Sequence, residues 1–218
     1  MKKAMILAAG FGERLRPLTY HCPKPLMAVG GKPLIEHHLE RLARMQVEHV
    51  VINVCYLADM IMQYLGNGER FGLRIEYSVE SDKPLGVLPG LRQARQWLGD
   101  GHFWLFSADV WAEVTALKMP ALSADMSHFW LVDNPAYNAE GDFSLQGNQL
   151  QHGADFTFAG MAVLSAKALD ASHQDFGGWV HDLILRGKAV GEKLPGKWFN
   201  VGSLAELNAL RQLHGVMH

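Results

Sequence analysis

Cysteine is almost missing from this chain: Cys22 and Cys55 are the two it has, and neither falls in a CxxC pair or a Cys/His ligand spacing. That excludes a disulfide framework and a structural zinc site, and it fits a reducing, cytoplasmic setting. A surplus of one charge is lacking too. Lys and Arg number 20 against 22 Asp and Glu, a formal net charge of -2, so neither a broad nucleic-acid face nor a charge-driven disordered chain is indicated. No apolar run is long enough to span a bilayer, and the apolar part of the opening MKKAMILAAG is too short for a signal-peptide core, so no membrane association is expected. Internal repeats, low-complexity segments and linkers are absent as well. With 218 residues, 49% of them hydrophobic, the expectation is a single domain over 1–218 with a sizeable core and a small-molecule partner.

What stands out is the tract 5–29, MILAAGFGERLRPLTYHCPKPLMAV. A short apolar run suited to a buried strand breaks into Gly10-Phe11-Gly12, and Arg14, Arg16 and Lys24 follow closely. A glycine-broken loop leaving a strand exposes backbone N–H groups and lets backbone approach a ligand, and with cations beside it the natural guest is a polyphosphate. The same pattern also describes an ordinary strand-to-helix turn with solvated cations. No Gly-Lys-Ser/Thr closes the tract as in a P-loop, and the third glycine of the dinucleotide fingerprint is missing.

Downstream, the pattern alternates between strand and helix. Residues 33–46 place Leu34, Ile35, Leu39, Leu42 and Met45 at helical spacing, with Pro33 in the first turn. Residues 49–54 (HVVINV) suit a strand covered on both faces, 57–65 a helix stopped by Gly66-Asn67-Gly68, 73–79 a strand, 90–98 a helix and 102–107 (HFWLFS) a further buried strand ending near Asp109. This order predicts a doubly wound α/β sheet with ligands bound beyond the carboxyl ends of its strands, where the glycine loop and Asp109 both fall. In the second half, 128–132 and 156–164 are predicted strands flanking an insertion, 134–153, whose Gly147-Asn148 suits a hairpin turn. A short helix is expected over 179–186, a short strand over 197–201, and a terminal helix over 203–213 with Ser203 as N-cap.

Leu7-Ala8-Ala9-Gly10-Phe11-Gly12-Glu13-Arg14-Leu15-Arg16-Pro17-Leu18-Thr19 and Pro23-Lys24-Pro25-Leu26 resemble the signature of the sugar-1-phosphate nucleotidylyltransferases. Leu131-Val132-Asp133-Asn134-Pro135, Glu140-Gly141-Asp142-Phe143-Ser144-Leu145 and Phe158-Ala159-Gly160-Met161 look like the sugar-side loops of the short branch that contains the N-acetylmuramate 1-phosphate uridylyltransferases of cell-wall recycling. The resemblance implies a Rossmann-like three-layer sandwich with a mixed, mostly parallel sheet of the nucleotide-diphospho-sugar transferase type, and a sugar-side insertion around 133–160. It implies a nucleoside triphosphate, a sugar 1-phosphate and Mg²⁺ as partners, with UTP and N-acetylmuramate 1-phosphate as first choice and GTP with mannose 1-phosphate as the competing pair. Such a reaction needs positioning and charge neutralisation more than covalent help. Arg14 and the loop from Leu7 through Glu13 would hold the leaving phosphates, Lys24 the α-phosphate, and Asp109 and Asn200 the metal. Glu80 and Gly86 would border the nucleotide, and Asp142 and Gly160 the sugar.

The chain departs from that family pattern at two places. Leu85-Gly86-Val87-Leu88-Pro89-Gly90 stands where relatives carry a Gly-rich loop, so bulky Leu88 and Pro89, which lacks an N–H, are expected to remodel or obstruct the base site. Trp198-Phe199-Asn200-Val201-Gly202-Ser203 carries Asn200 in place of the second metal-binding Asp, and an amide brings an oxygen but no charge. A rival reading is therefore a nucleotide- or sugar-binding regulatory protein without turnover. On position alone Asp109 also suits a strand-end turn cap, and Glu80 a solvated surface acid. His37-His38 fit helix packing better than metal binding, and Phe103, Trp104 and Phe106 fit strand core; Trp179, Trp198 and Phe199 suit packing, with the border of a sugar pocket as the alternative.

Overall fold

A computed structural model describes residues 2–169 and 173–215, so the ends of the expected 1–218 domain lie outside the described residues. In chain order the strands are β1 (Lys3–Leu7), β2 (Ala28–Val29), β3 (Lys32–Pro33), β4 (His49–Val54), β5 (Arg74–Val79), β6 (His102–Ser107), β7 (Val110–Ala112), β8 (Ser127–Asp133), β9 (Phe143–Gln146), β10 (Gln149–His152), β11 (Phe156–Ser165), β12 (Ala189–Lys193) and β13 (Trp198–Asn200). The helices are α1 (Leu34–Arg44), α2 (Ala58–Leu65), α3 (Val87–Leu98), α4 (Phe176–Leu185) and α5 (Leu204–Leu213).

Nine strands form one mixed sheet in the order β5-β4-β1-β6-β11-β8-β12-β10-β9. The first four are parallel; β4 and β6 carry the apolar runs of strands covered on both faces, while β5, at the edge, alternates and is partly exposed. β11 turns the sheet antiparallel against both β6 and β8. The Gly147-Asn148 hairpin joins β9 to β10 as predicted, and β9 also reaches back to β11 at Phe143 and Phe156. The chain runs outward from β1 through β4 to β5, then returns to β6 on the other side of β1. The gap between β1 and β6 is therefore the switch point at which such sheets bind ligands.

Two clusters sandwich the sheet. Alternate residues of β1 show the division: Ala4 and Ile6 pack with Ile35, Leu39 and Leu42 of α1 and Ile61 of α2, whereas Met5 packs with Leu88 and Leu91 of α3 and Trp179 of α4. Trp104 stacks on Trp130 at 5.5 Å between centroids, so the aromatic run of β6 is core. A third cluster joins Leu15, Met27 and Val29 of the opening tract to Trp111 on β7, Val201 and Leu207 and Leu210 of α5. The last helix thus props the first loop.

Sequence and structure part at helix starts and very short strands. α3 begins at Val87, three residues before the predicted start, and α4 begins at Phe176 behind an Asp175 cap whose Oδ1 accepts from Gly178 N. β7 and β12 were not predicted, whereas the short strand expected over 197–201 is β13.

Candidate active site

The opening tract leaves β1 at Leu7 and folds as three short 3-10 turns, Glu13–Leu15, Leu18–Tyr20 and Lys24–Leu26. Gly12 has φ +65° and its carbonyl accepts from Thr19 Oγ1 at 3.0 Å. A Cβ there would lie 2.8 Å from Thr19 Cγ2, so both conformation and space demand glycine. At Gly10 the reason differs: a Cβ would meet nothing within 4 Å, and glycine leaves that volume to the cleft. Phe11 packs edge-on against Tyr56, whose hydroxyl donates to Thr19 O at 2.8 Å.

This tract lines a cleft of about 630 Å³ at the carboxyl ends of β1 and β6. Leu7, Ala8, Ala9, Gly10, Phe11, Gly12, Glu13, Arg14, Lys24, Glu80, Gly86 and Asp109 all border it. Arg16 does not; it pairs with Glu13 at 3.3 Å on the surface. Lys24 Nζ contacts Asp109 Oδ2 at 2.7 Å, joining residues 85 positions apart in sequence. The Arg14 guanidinium lies over Gly202, where a Cβ would come within 2.7 Å of Nη2. Among the described residues no carboxylate forms an ion pair with Arg14.

Glu80 is not a solvated surface acid: it is 2% exposed and organises the cleft wall. Asn53 Nδ2 donates to its Oε1 at 2.8 Å and the Leu85 amide to its Oε2 at 2.7 Å, while the Ala8 amide donates to Asn53 Oδ1 at 2.9 Å. One buried chain of hydrogen bonds so fixes the glycine loop to the 80–86 loop. A Cβ at Gly90 would sit 2.9 Å from Glu80 Oε1, so α3 approaches this acid only through a glycine. Asn53, at the end of an apolar strand, carried no sequence signal beyond being the one polar residue inside HVVINV.

The expected obstruction by Leu88 and Pro89 is corrected. Gly86 (φ +90°) precedes the first residue of α3, Leu88 is 0% exposed among the core residues beneath, and Pro89 sits in the first helical turn, where a missing N–H costs nothing. Pro84, Gly86 and Val87 face the cleft instead.

Asn200 lies beside Asp109 in the fold: β13 pairs Asn200 with Val110, and Val201 N donates to Asp109 O at 2.8 Å. It borders a second cavity of about 450 Å³ with Pro135, Tyr137, Lys193, Trp198 and Glu206. Sequence reasoning missed Tyr137 and Glu206. Burial raises the Tyr137 hydroxyl pKa, a hydrogen bond with the Asn200 side chain lowers it, the Glu206 and Asp109 carboxylates raise it and Arg14 lowers it. Asp142 borders neither cavity. Its carboxylate accepts from Asn138 Nδ2 at 3.0 Å and Phe158 N at 2.8 Å, which shapes the insertion. Gly160 (φ +71°) lies at the irregular stretch of β11, where a Cβ would meet Ser107 and Val110 at 3.1 Å; it permits close packing behind Asp109. Trp198 Nε1 donates to Ala159 O at 2.9 Å, and Trp179 is buried in the core. His38 is buried against Phe106 and His37 faces Val29 O, so both histidines pack the helix.

For a divalent cation the site offers the Asp109 carboxylate and Asn200 Oδ1, a buried oxygen with no hydrogen-bond partner. Leaving such an atom unpaired costs about 1–3 kcal/mol, which a cation would relieve. Both donors are hard oxygens, and no group of three His, Cys, Asp or Glu among the described residues could hold a metal alone. The set therefore fits Mg²⁺, which keeps most of its positions for phosphate oxygens and water.

The nucleotidyl transferase family model matches residues 3–128. The chain is 38% identical to an N-acetylmuramate alpha-1-phosphate uridylyltransferase of Neisseria meningitidis, over 98% of both chains. It is 43% identical to a mannose-1-phosphate guanyltransferase of Aspergillus fumigatus, over 50% of this chain and 30% of that one. In fold it matches a crystallised candidate glucose-1-phosphate thymidylyltransferase from Bacillus anthracis, in complex with a sucrose, with TM-score 0.85 at 18% identity, over 100% of this chain and 97% of that one.

Proposed function

Since the chain belongs to the nucleotidyl transferase family, we propose that it joins UTP to N-acetylmuramate 1-phosphate, releasing pyrophosphate, as a single cytoplasmic domain serving cell-wall recycling. The observation that carries this reading is the convergence of the glycine loop, Arg14, Lys24 and Asp109 on one cleft at the switch point of the sheet. A phosphate oxygen of the sugar attacks the α-phosphorus, and pyrophosphate leaves on the opposite side. Arg14 and the amides around Gly10 and Gly12 bind the β- and γ-phosphates, and stabilise them as charge moves onto the leaving group. Lys24 exchanges its contact with Asp109 for the α-phosphate, where charge builds. Asp109 and Asn200 would hold Mg²⁺, which when bound would supply positive charge against the phosphates. The second cavity beside Asn200, walled by Tyr137 and Trp198, receives the sugar, and the insertion at 133–160 serves through Pro135 and Tyr137 rather than Asp142.

Uridylyl rather than guanylyl transfer is favoured because the Neisseria relative aligns along nearly its whole length, whereas this chain spans under a third of the guanyltransferase. The test is pyrophosphate release with Mg²⁺ across a panel of triphosphates and sugar 1-phosphates. UTP with N-acetylmuramate 1-phosphate is expected to turn over fastest. If no pair turns over while a nucleotide still raises the melting temperature, the chain is the binding protein that Asn200 suggests.

A further inference from the structure

Glu206, on the first turn of α5, carries more than a helix cap. Ser203 Oγ accepts from its amide at 3.3 Å, and its Oε2 accepts from Gly202 N at 2.7 Å, the reciprocal arrangement that stabilises a helix start. That contact uses one of its two oxygens. Gly202 borders the first cleft with Arg14 and Asp109, and Glu206 borders the second cavity with Asn200 and Tyr137. Through Gly202 the carboxylate is tied to the first cleft, and it lines the second cavity together with Asn200, whose buried Oδ1 lacks a hydrogen-bond partner. Asp109 and Asn200 alone bring one carboxylate, one amide oxygen and a single negative charge, and a hard cation is held according to the charge of its donors.

We propose that Glu206 is a second charged ligand of the divalent cation, supplying the charge that the Asn200 amide does not. This rests on the transferase reading above. It accounts for a chain that carries an amide at 200 while keeping Arg14, Lys24 and Asp109 together, and it makes the C-terminal helix part of the metal site as well as a prop for the first loop.

Mn²⁺, whose free-ion paramagnetic resonance signal disappears on binding, is titrated into the protein with and without UTP. Glu206→Gln keeps an oxygen for Gly202 N, so its melting temperature should stay close to that of the unaltered protein while Mn²⁺ affinity falls about tenfold. Adding Asn200→Asp to Glu206→Gln should restore the affinity. UTP binding without metal, read by thermal shift, should not change in Glu206→Gln. Unchanged Mn²⁺ affinity in Glu206→Gln overturns the proposal. So does a loss accompanied by equally weakened metal-free UTP binding, since Glu206 would then act through Arg14. If Mn²⁺ affinity falls as expected but no substrate pair turns over in the unaltered protein, the ligand assignment stands and the transferase reading fails.

Discussion

Lys24 and Asp109 touch at 2.7 Å yet should fail differently when truncated. Lys24 is 12% exposed at its side chain, and in the proposed reaction it meets the α-phosphate, where charge develops. Lys24→Ala is therefore expected to lower kcat on the order of 10²–10³-fold with a smaller rise in KM. Asp109→Ala removes the carboxylate that contacts Lys24 in the cleft and should abolish turnover. Steady-state kinetics on both variants checks this, and near-unaltered rates in either would remove that residue from the mechanism. Arg14 and Lys24 could be placed at the cleft because their spacing belongs to a long contiguous pattern, and Asp109 because it follows a buried strand on the carboxyl side of the sheet. Asn53, Tyr137 and Glu206 could not, because each acquires its role from a partner brought close only by the folded sheet.

At the scale of elements, α3 shows how a residue type misleads when its position is wrong by one turn. Pro89 read as part of a loop that obstructs the base site, but proline is tolerated in a first helical turn, and Gly86 at φ +90° starts the helix earlier. The consequence is a separation of roles that point variants can expose. Leu88→Ala should destabilise the fold by about 2–5 kcal/mol, measured by urea unfolding, because it opens a cavity under the sheet. Pro89→Ala should leave the preference among UTP, GTP and other triphosphates unchanged, whereas an altered base preference would return Pro89 to the base site. Strand and helix order in the first half was legible because apolar runs and helical spacing dominate there. β7 and β12 escaped because three to five residues carry too little periodicity to be seen.

For the whole molecule, buried histidines set the acid limit of stability. Burial, with the Arg41 guanidinium beside it, holds His38 well below the usual imidazole range, and burial also lowers His37 and His128. Below about pH 6.5 the unfolded chain takes up protons at these sites that the folded chain refuses. Their contribution to stability is therefore full above that pH and is lost as the pH falls. Denaturant midpoints should drop between pH 7.5 and 5.5, before most carboxylates titrate, and His38→Gln should narrow the difference if the variant folds. A midpoint that holds or rises on acidification would show that these rings are charged in the folded protein. The parallel half of the sheet and its switch point were readable from sequence at this scale. The closing of β9 onto β11 was not, since it depends on how far the sheet curls.

If the cleft takes a nucleotide and a cation as proposed, the Lys24–Asp109 contact also sets how the two influence one another. Each group holds the other's charge, so a phosphate that draws Lys24 away leaves the carboxylate unsatisfied and hungrier for a cation. By the same free-energy difference, a cation settling on Asp109 releases Lys24 for phosphate. Nucleotide and cation would thereby be heterotropic partners: each is expected to bind more tightly when the other is present, since either one alone must work against a closed ion pair.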